Sequence, residues 1–425
     1  MKKCALIAGL VLLALLVIAF TLLLLLTRDE APPNDADLRL AKRIEIPADE
    51  NAFTYLQLAI DKLSPVDEET WFRIPHFTAG GNDEENPPKW DAALVNDILT
   101  RNAATFAQVE RGLACSRIQV PEIKVSSDSF AYLSPWREIV RLMALRSCAL
   151  SEAGKDREAL DETVKIIRFG QLIEQSGGRT LHYLVGNVIK QIGYRFFDIA
   201  LAKAKLDPQA LSDYVSALAP FAENKPALVN SLKMDYAFGS RAMDDVAAGR
   251  LGKYDPNLAS NGNSLLGHLL VCPNQTRRLL AESYRTILLN ADRKPADYQI
   301  PVLQRKVDEV QARSIKIGRN AGGIMLGGML MPGLDMLLKT ALYEKAANSL
   351  SRLLIAIKCC KLKTGALPAS LDALVPGYID KVPEDPFDGK PMRYDPAKKI
   401  IYSIGRDLQD NGGDKDADVA VKIEF

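Results

Sequence analysis

The chain has 425 residues, with 54 basic and 53 acidic side chains and a formal net charge of +1. So even a balance supplies neither a basic face for nucleic acid nor a polybasic block for an anionic lipid surface. Six cysteines without a CxxC pair exclude a disulfide scaffold, and His76, His182 and His268 stand in no metal-ligand spacing.

Residues 4–26 are an unbroken run of apolar and small residues, interrupted only by Gly9 and Thr21. As a helix these 23 residues span roughly 34 Å, enough for a hydrocarbon core of about 30 Å. A backbone in lipid must satisfy its own hydrogen bonds, which leaves helix as the available form. Lys2 and Lys3 precede the run, whereas Arg28, Asp29 and Glu30 follow it. The positive excess predicts a cytoplasmic N-terminus and an exported bulk, periplasmic in an inner-membrane topology. A cleaved signal would have a shorter apolar stretch ending in small residues, and Leu22 to Leu26 followed by Thr27 and Arg28 offers no such site. Residues 1–27 therefore read as an uncleaved, single-pass signal anchor, and membrane lipid is the first expected partner. Cys4 lacks the upstream residues of a lipoprotein signal and reads as a membrane-facing cysteine. Residues 28–48, with Pro32, Pro33 and several acids, read as an extended linker.

From 49 to 336 the pattern is helical. Apolar residues recur at helical spacing over 51–63, 90–114, 135–153, 156–173, 181–205, 208–218, 226–250, 274–292 and 302–317. Asp207 before Pro208 predicts an N-cap with proline at the first helical position. Gly154 suits a helix end, with Asp156 capping the next helix. Residues 141–154 and 156–169 resemble a helical hairpin of tetratricopeptide type. No repeat at that period follows, so the expectation is a multi-helix bundle or irregular α-solenoid. Cys115 and Cys148 fall on neighbouring predicted helices and read as a bridge or as two buried thiols. The adjacent Cys359 and Cys360 read as packing residues. Residues 77–88 and 252–267 read as polar loops. Trp71, Phe72, Trp90 and Trp136 read as core, although the irregular stretch between Trp71 and Trp90 is a candidate groove. Residues 321–334, rich in Met and Gly, are too few to span a bilayer. They read as a packed segment that Gly323 and Gly327 let another helix approach, with a lipid- or substrate-facing patch as the alternative.

A long helix over 337–363 leads into a different composition, rich in proline and aspartate, with period-two alternation at 392–394, 400–404 and 419–423. A helix packed on a small antiparallel sheet is the expected α+β module for 337–425. Asp407, Asp410, Asp414, Asp416 and Asp418 crowd five carboxylates around Lys415. Such a loop reads as a cation site or as a solvated acidic loop, and Ca2+ is the ion that tolerates flexible oxygen cages. An EF-hand is excluded, because Val419 and Phe425 stand where that loop needs glycine and glutamate.

Three pieces in order carry a family resemblance. They are Gly365-Ala366-Leu367-Pro368 running to Pro376, Val382-Pro383-Glu384-Asp385-Pro386-Phe387-Asp388-Gly389, and Tyr402-Ser403-Ile404-Gly405-Arg406-Asp407. Together the last 85 or so residues resemble the globular domain of the major pseudopilin of type II secretion. The resemblance implies a calcium site in the final loop, with Asp407 first, the carbonyl of Ile404 nearby, Asp414 at the later aspartate, and Asp416 and Asp418 as extra or alternative ligands. The apolar run lacks the early glutamate of a pilin, and about 300 residues separate it from the module, so the chain is not expected to polymerise as pilins do.

No HExxH, GxSxG or GxxxxGK[ST] pattern is present. The sequence thus points away from an enzyme and toward a membrane-anchored envelope protein that acts as an interaction or assembly module for a protein partner, with secretion or pilus-like machinery implied by the resemblance. The alternatives are an envelope hydrolase whose site is assembled from distant residues and a helical ligand-binding domain using the Met/Gly-rich segment.

Overall fold

The computed structural model describes residues 9–18, 20–21, 28–77, 88–122, 130–248, 250, 271–312, 320–331 and 333–425. The molecule is mainly helical, with a small three-stranded antiparallel sheet at its C-terminal end. Residues 9–18, 20 and 21 are helical, and Leu10, Leu12, Leu16 and Phe20 each stand more than half exposed. Among the described residues no helix is long and apolar enough to cross a membrane. Residues 1–8, 19 and 22–27 of the expected anchor lie outside the described residues.

Residues 28–48, expected to be a linker, are extended but docked. The Asp29 carboxylate accepts from the backbone N–H groups of Asn274 (2.9 Å) and Gln275 (3.1 Å), which puts an anion on the first turn of a helix, where orphan donors and the dipole favour it. Tyr236 donates to Asp35 at 2.8 Å, Arg285 clasps Asp37 at 2.7 Å, and the Leu38 side chain is fully buried.

Helices α1 (Ala52–Asp61), α2 (Glu68–Phe72), α3 (Ala92–Arg101) and α4 (Ala103–Ala114) pack with α5 (Leu133–Glu152), α6 (Asp156–Glu174) and α7 (Thr180–Lys203) around one apolar cluster. The predicted single helix over 90–114 is two helices. Buried Asn102 ends the first, because its side chain donates to Ile98 O and Ser64 O (both 3.0 Å) and accepts from Ser64 N (2.9 Å). Local side-chain hydrogen bonds compete with the helical ladder, and a tertiary partner settles the competition. Gly154, at φ +71°, closes α5. Asp156 does not cap α6 as expected, since its carboxylate reaches Lys205 N at 2.7 Å and ties the two ends of the α6–α7 hairpin. In α8 (Pro208–Leu218) the expected Asp207 cap forms, accepting from Gln209 N and Ala210 N at 2.9 Å each. Cys115 and Cys148 are free thiols.

A second cluster holds Leu38, α9 (Lys225–Ala247), α10 (Pro273–Asn290), α11 (Val302–Gln311) and α12 (Ala321–Leu330). The 31-residue α13 (Leu334–Thr364) then runs through the molecule. Its middle and end share a third cluster with α6, α7, α8 and the sheet, while Leu337, Leu338 and Ala341 near its start belong to the second. Strands β1 (Arg393–Asp395), β2 (Ile400–Ser403) and β3 (Val419–Lys422) pair in that order, with Tyr394 opposite Ile401 and Ile401 opposite Val421. Lys358 of α13 caps the C-terminus of α7. Its ammonium donates to the carbonyls of Leu201, Ala202 and Ala204, which satisfies acceptors that a helix end leaves open.

The three clusters meet at a buried charge. Lys190 of α7 donates to Glu344 of α13 (2.7 Å), Glu174 of α6 (3.2 Å) and Phe221 O (3.0 Å), and all three side chains are inaccessible. Asn224 donates to the other Glu344 oxygen at 2.5 Å. Desolvation, opposed only in part by Lys190, pushes the Glu174 carboxyl up to about 8, which favours its neutral form at neutral pH. Close approach of α6 and α7 requires glycine here, since a Cβ on Gly170 would meet Gly186 O at 2.5 Å, and the reverse holds equally.

Lys190→Met is expected to lower stability by about 3–5 kcal/mol, because it strands a buried carboxylate. Glu174→Gln, which replaces a group already uncharged at neutral pH, is expected to cost far less. Urea unfolding in detergent at pH 7 checks both, and equal midpoint shifts for the two variants contradict the assignment.

Candidate functional site

The residues between α6 and α7 form the floor of a cleft of about 730 Å³. Arg39, Arg43 and Ile46 from the docked N-terminal segment line it, together with Arg117, Gln119 and Glu122 beyond α4, Gln175 to Gly177, and Asn230, Met234, Phe238 and Arg241 of α9. Four arginines line it, each paired with a carboxylate: Arg39 with Asp35 (2.9 Å), Arg43 with Glu45 (2.9 Å), Arg117 with Glu50 (2.6 Å) and Arg241 with Glu122 (2.9 Å). Arg43 donates to Val120 O at 2.8 Å and Gln119 receives Ile46 N at 3.1 Å, so the N-terminal segment is stitched to the far wall. Arg241 holds Glu122 at 2.9 Å through one nitrogen, whereas its Nη1 is buried without a hydrogen-bond partner. Ser176 is 1% exposed, and its hydroxyl also has none. Buried polar atoms are normally satisfied, so two unsatisfied donors at one cleft mark a place where an acceptor is wanted.

Behind the cleft the wall is stiff. Arg179 lies over the Phe238 ring at 3.7 Å and donates to Asp235 at 2.5 Å, and Thr180 also donates to Asp235. His182 is 1% exposed, with Nε2 2.7 Å from the Tyr132 hydroxyl and Nδ1 unpartnered. Burial holds this imidazole down at about 4, aided against the charged form by neighbouring Arg179, and pushes the Tyr132 phenol up to about 12. With its ring enclosed, His182 acts as a neutral packing and hydrogen-bonding group. His76 lies elsewhere, with its carbonyl held by Arg195 at 3.1 Å, and His268 lies outside the described residues. Trp71 is fully buried, donates to Glu138 at 3.1 Å and stacks on Phe77 at 4.9 Å, so it is core rather than the lip of a groove. Residues 78–87 of that stretch lie outside the described residues. Met329 stands exposed while Met331 is buried, so the methionines of the apolar segment do not line one cavity.

The five C-terminal aspartates have separate tasks. Asp407 accepts from Gln409 N (3.0 Å) and Asn411 (2.8 Å), and Asp410 from Tyr402 (3.1 Å), Gly412 N (3.1 Å) and Arg393 (3.4 Å). Asp414 accepts from Asp416 N at 2.9 Å, and the Asp416 side chain is exposed. Asp418 is buried and accepts from Gly413 N at 2.7 Å, and its other carboxylate oxygen has no partner. Among the described residues no three His, Cys, Asp or Glu converge as a metal cage. The organising acid of the module is instead Asp385, which is fully buried. It accepts from Phe387 N (3.0 Å), Ser403 Oγ (2.8 Å), Ile404 N (2.9 Å) and Arg393 (2.5 Å), and Arg393 also grips Asp388 at 2.5 Å. A carboxylate with four donors, one of them charged, joins the 382–391 segment to β1 and to the end of β2.

The cleft escapes a sequence reading because its walls come from four separate stretches, and only the abundance of arginine near 39–43 hints at it. No protein-family model matches the chain, and no curated protein and no solved structure matches it either.

His182 gives the fold an acid-side weakness. Its folded-state value lies below the ordinary 6.5, so its contribution is fully present above 6.5 and is lost as pH falls toward about 4. The loss is expected to reach about 3 kcal/mol at most. His182→Gln keeps a partner for Tyr132 and should flatten that portion of the profile. Parallel urea midpoints from pH 7 to 4.5 for both proteins contradict the assignment.

Proposed function

We propose that the protein is a non-enzymatic, membrane-anchored envelope protein that docks a protein partner, and that an acidic segment of that partner occupies the arginine-lined cleft. The observation that carries the reading is a concave site lined by four ion-paired arginines, with two buried donors, Ser176 Oγ and Arg241 Nη1, that have no hydrogen-bond partner. Arginine suits this task, since its planar fork matches a carboxylate and its charge does not depend on pH. The apolar run 4–26 supports a single-pass anchor in an inner membrane, with the bulk of the chain on the periplasmic side. The likeness of 337–425 to the major pseudopilin supports a place in secretion or pilus-like machinery.

Ca2+ is the second element of this reading. The orphaned Asp418 oxygen supports a cation at the final loop, with Asp407, Asp414 and Asp416 as the other carboxylates that would join it. Asp410 is already neutralised by Arg393 and is the least suited of the five. The ion would screen the carboxylates and stiffen the loop that follows β2.

Arg39 and Arg117 are exposed, so reversing both to Glu should leave the fold intact. Tagged full-length chain from solubilised envelopes is expected to capture a partner that the R39E/R117E variant loses by at least tenfold. Equal capture removes the cleft from the reading, and no specific capture by the native chain removes the docking function. For the ion, 1 mM CaCl2 is expected to raise the melting temperature above that in chelator, and Asp418→Asn is expected to abolish the rise. Coincident melts with and without calcium in the native chain eliminate the site.

A further inference from the structure

Helix α12, Ala321–Leu330, has the sequence AGGIMLGGML and carries no polar side chain. A surface helix normally turns a charged stripe outward, and one that is apolar all round belongs in a core or in lipid. α12 is only half enclosed. Ala321, Gly323, Ile324 and Gly327 are buried, with Thr276 and Leu303 against the Gly327 position and Val307 against Gly328. The opposite face carries Gly322, Met325, Leu326 and Met329 at positions i, i+3, i+4 and i+7, the first three half-buried and Met329 68% exposed.

The position of this face identifies what covers it. The apolar run ends at Leu26, and the chain is next held at Asp29, on the first turn of α10. The same turn holds α12. Asn320, buried and in the left-handed conformation at φ +58°, begins α12 and accepts from Cys272 N at 2.8 Å and from Thr276 Oγ1 at 3.1 Å. Thr276 in turn contacts the α12 backbone at Gly323 and Gly327. The start of α10 is thus a common hub for the chain leaving the apolar run and for the uncharged helix. Only two residues, Thr27 and Arg28, intervene between the end of that run and Asp29, about 10 Å of fully extended chain.

We infer that α12 is a second, interfacial membrane contact, with the Met325, Leu326 and Met329 face resting in the headgroup and upper acyl region beside the anchor. The inference rests on the anchored topology proposed above. Interfacial helices bury about 5–10 Å into a leaflet and draw their affinity from apolar area, so an uncharged face suits any bilayer surface and needs no particular headgroup. One tether leaves a domain free to swivel about it. A second contact beside it fixes which side of the domain faces the membrane, and α10 then stands off the bilayer with its far end and the α11 start directed into the aqueous space.

The test uses full-length chain reconstituted in phosphatidylcholine vesicles with and without brominated acyl chains. Tryptophan is placed at the exposed face in Met329→Trp and at a distant exposed position in Leu289→Trp, in the last turn of α10, about 22 Å along its axis from Asn274. Relative to the native chain, the emission added by Met329→Trp is expected to fall by at least half in brominated vesicles, and that added by Leu289→Trp to stay unchanged. If the chain co-floats with vesicles and neither added emission is quenched, the α12 contact is overturned while the anchor stands. If both are quenched alike, the domain adsorbs without orientation and the inference is likewise overturned. If the chain fails to co-float, the anchored topology itself falls, and the α12 contact with it.

Discussion

A lysine that never reaches water organises this molecule. Lys190 sits in the third turn of α7, and its ammonium draws together a carboxyl on α6, a carboxylate on α13 and the carbonyl of Phe221 ahead of α9. These elements share the third cluster, while α6 also enters the first and α13 the second, so the contact lies where the three adjoin. The electrostatics explain why the arrangement is tolerable. Burying a cation with two anions would leave a net charge in a poor dielectric, and the upward shift of Glu174 removes it by keeping one proton. Apolar side chains of similar volume would often pack as well or better, so the gain is in uniqueness of arrangement rather than in stability. Asn224 and Asn348 extend the same logic. Asn348 donates to Leu218 O at 2.8 Å and to the Tyr194 hydroxyl at 3.0 Å, which sets the axial position of α13 against α7 and α8.

That register is what ties the C-terminal sheet to the rest. α13 serves the helical core along its first half and the sheet along its second, with Lys358 capping α7 and Lys361 donating to Phe425 O at 2.6 Å. Within the module, Asp385 and Arg393 do for the strands what Lys190 does for the helices. The third cluster joins the sheet to α13, α7 and α6, and Gln175, just beyond the end of α6, lines the cleft.

How much of this could be read from the chain depends on the range of the interaction. Caps and breaks that act within a turn were legible, as with Asp207 before Pro208 and Gly154 after α5. So was the small sheet, where short apolar runs stand between turn residues, although β2 is buried along its whole length rather than on one face. The break at Asn102 was not legible, since it needs Ser64, which is distant in sequence. The docked state of 28–48 was hidden for a related reason. Pro32, Pro33 and the acids give that stretch a linker's composition, and Asp29, Asp35 and Asp37 acquire meaning only beside α9 and α10. The C-terminal aspartates drew attention by density and by the resemblance, whereas Asp385, between Glu384 and Pro386, carries more of the module's hydrogen bonding than any of them.

The same segment lies between the apolar run and the cleft. Residues 28–38 fasten to the start and middle of α10, and a few residues later Arg39, Arg43 and Ile46 form one wall of the cleft. A pull on the chain at residue 28 would have to break the Asp29 cap and the Asp37 clasp before it reached Arg39. Those contacts are charge-assisted and partly shielded, which makes them stronger than neutral hydrogen bonds but still individually small. Several weak contacts in series, rather than one strong one, therefore stand between residue 28 and the cleft wall. Leu38, fully buried in the α9–α10 cluster, is the apolar stop among them, because extracting it exposes a whole leucine side chain to water at a cost of about 2 kcal/mol.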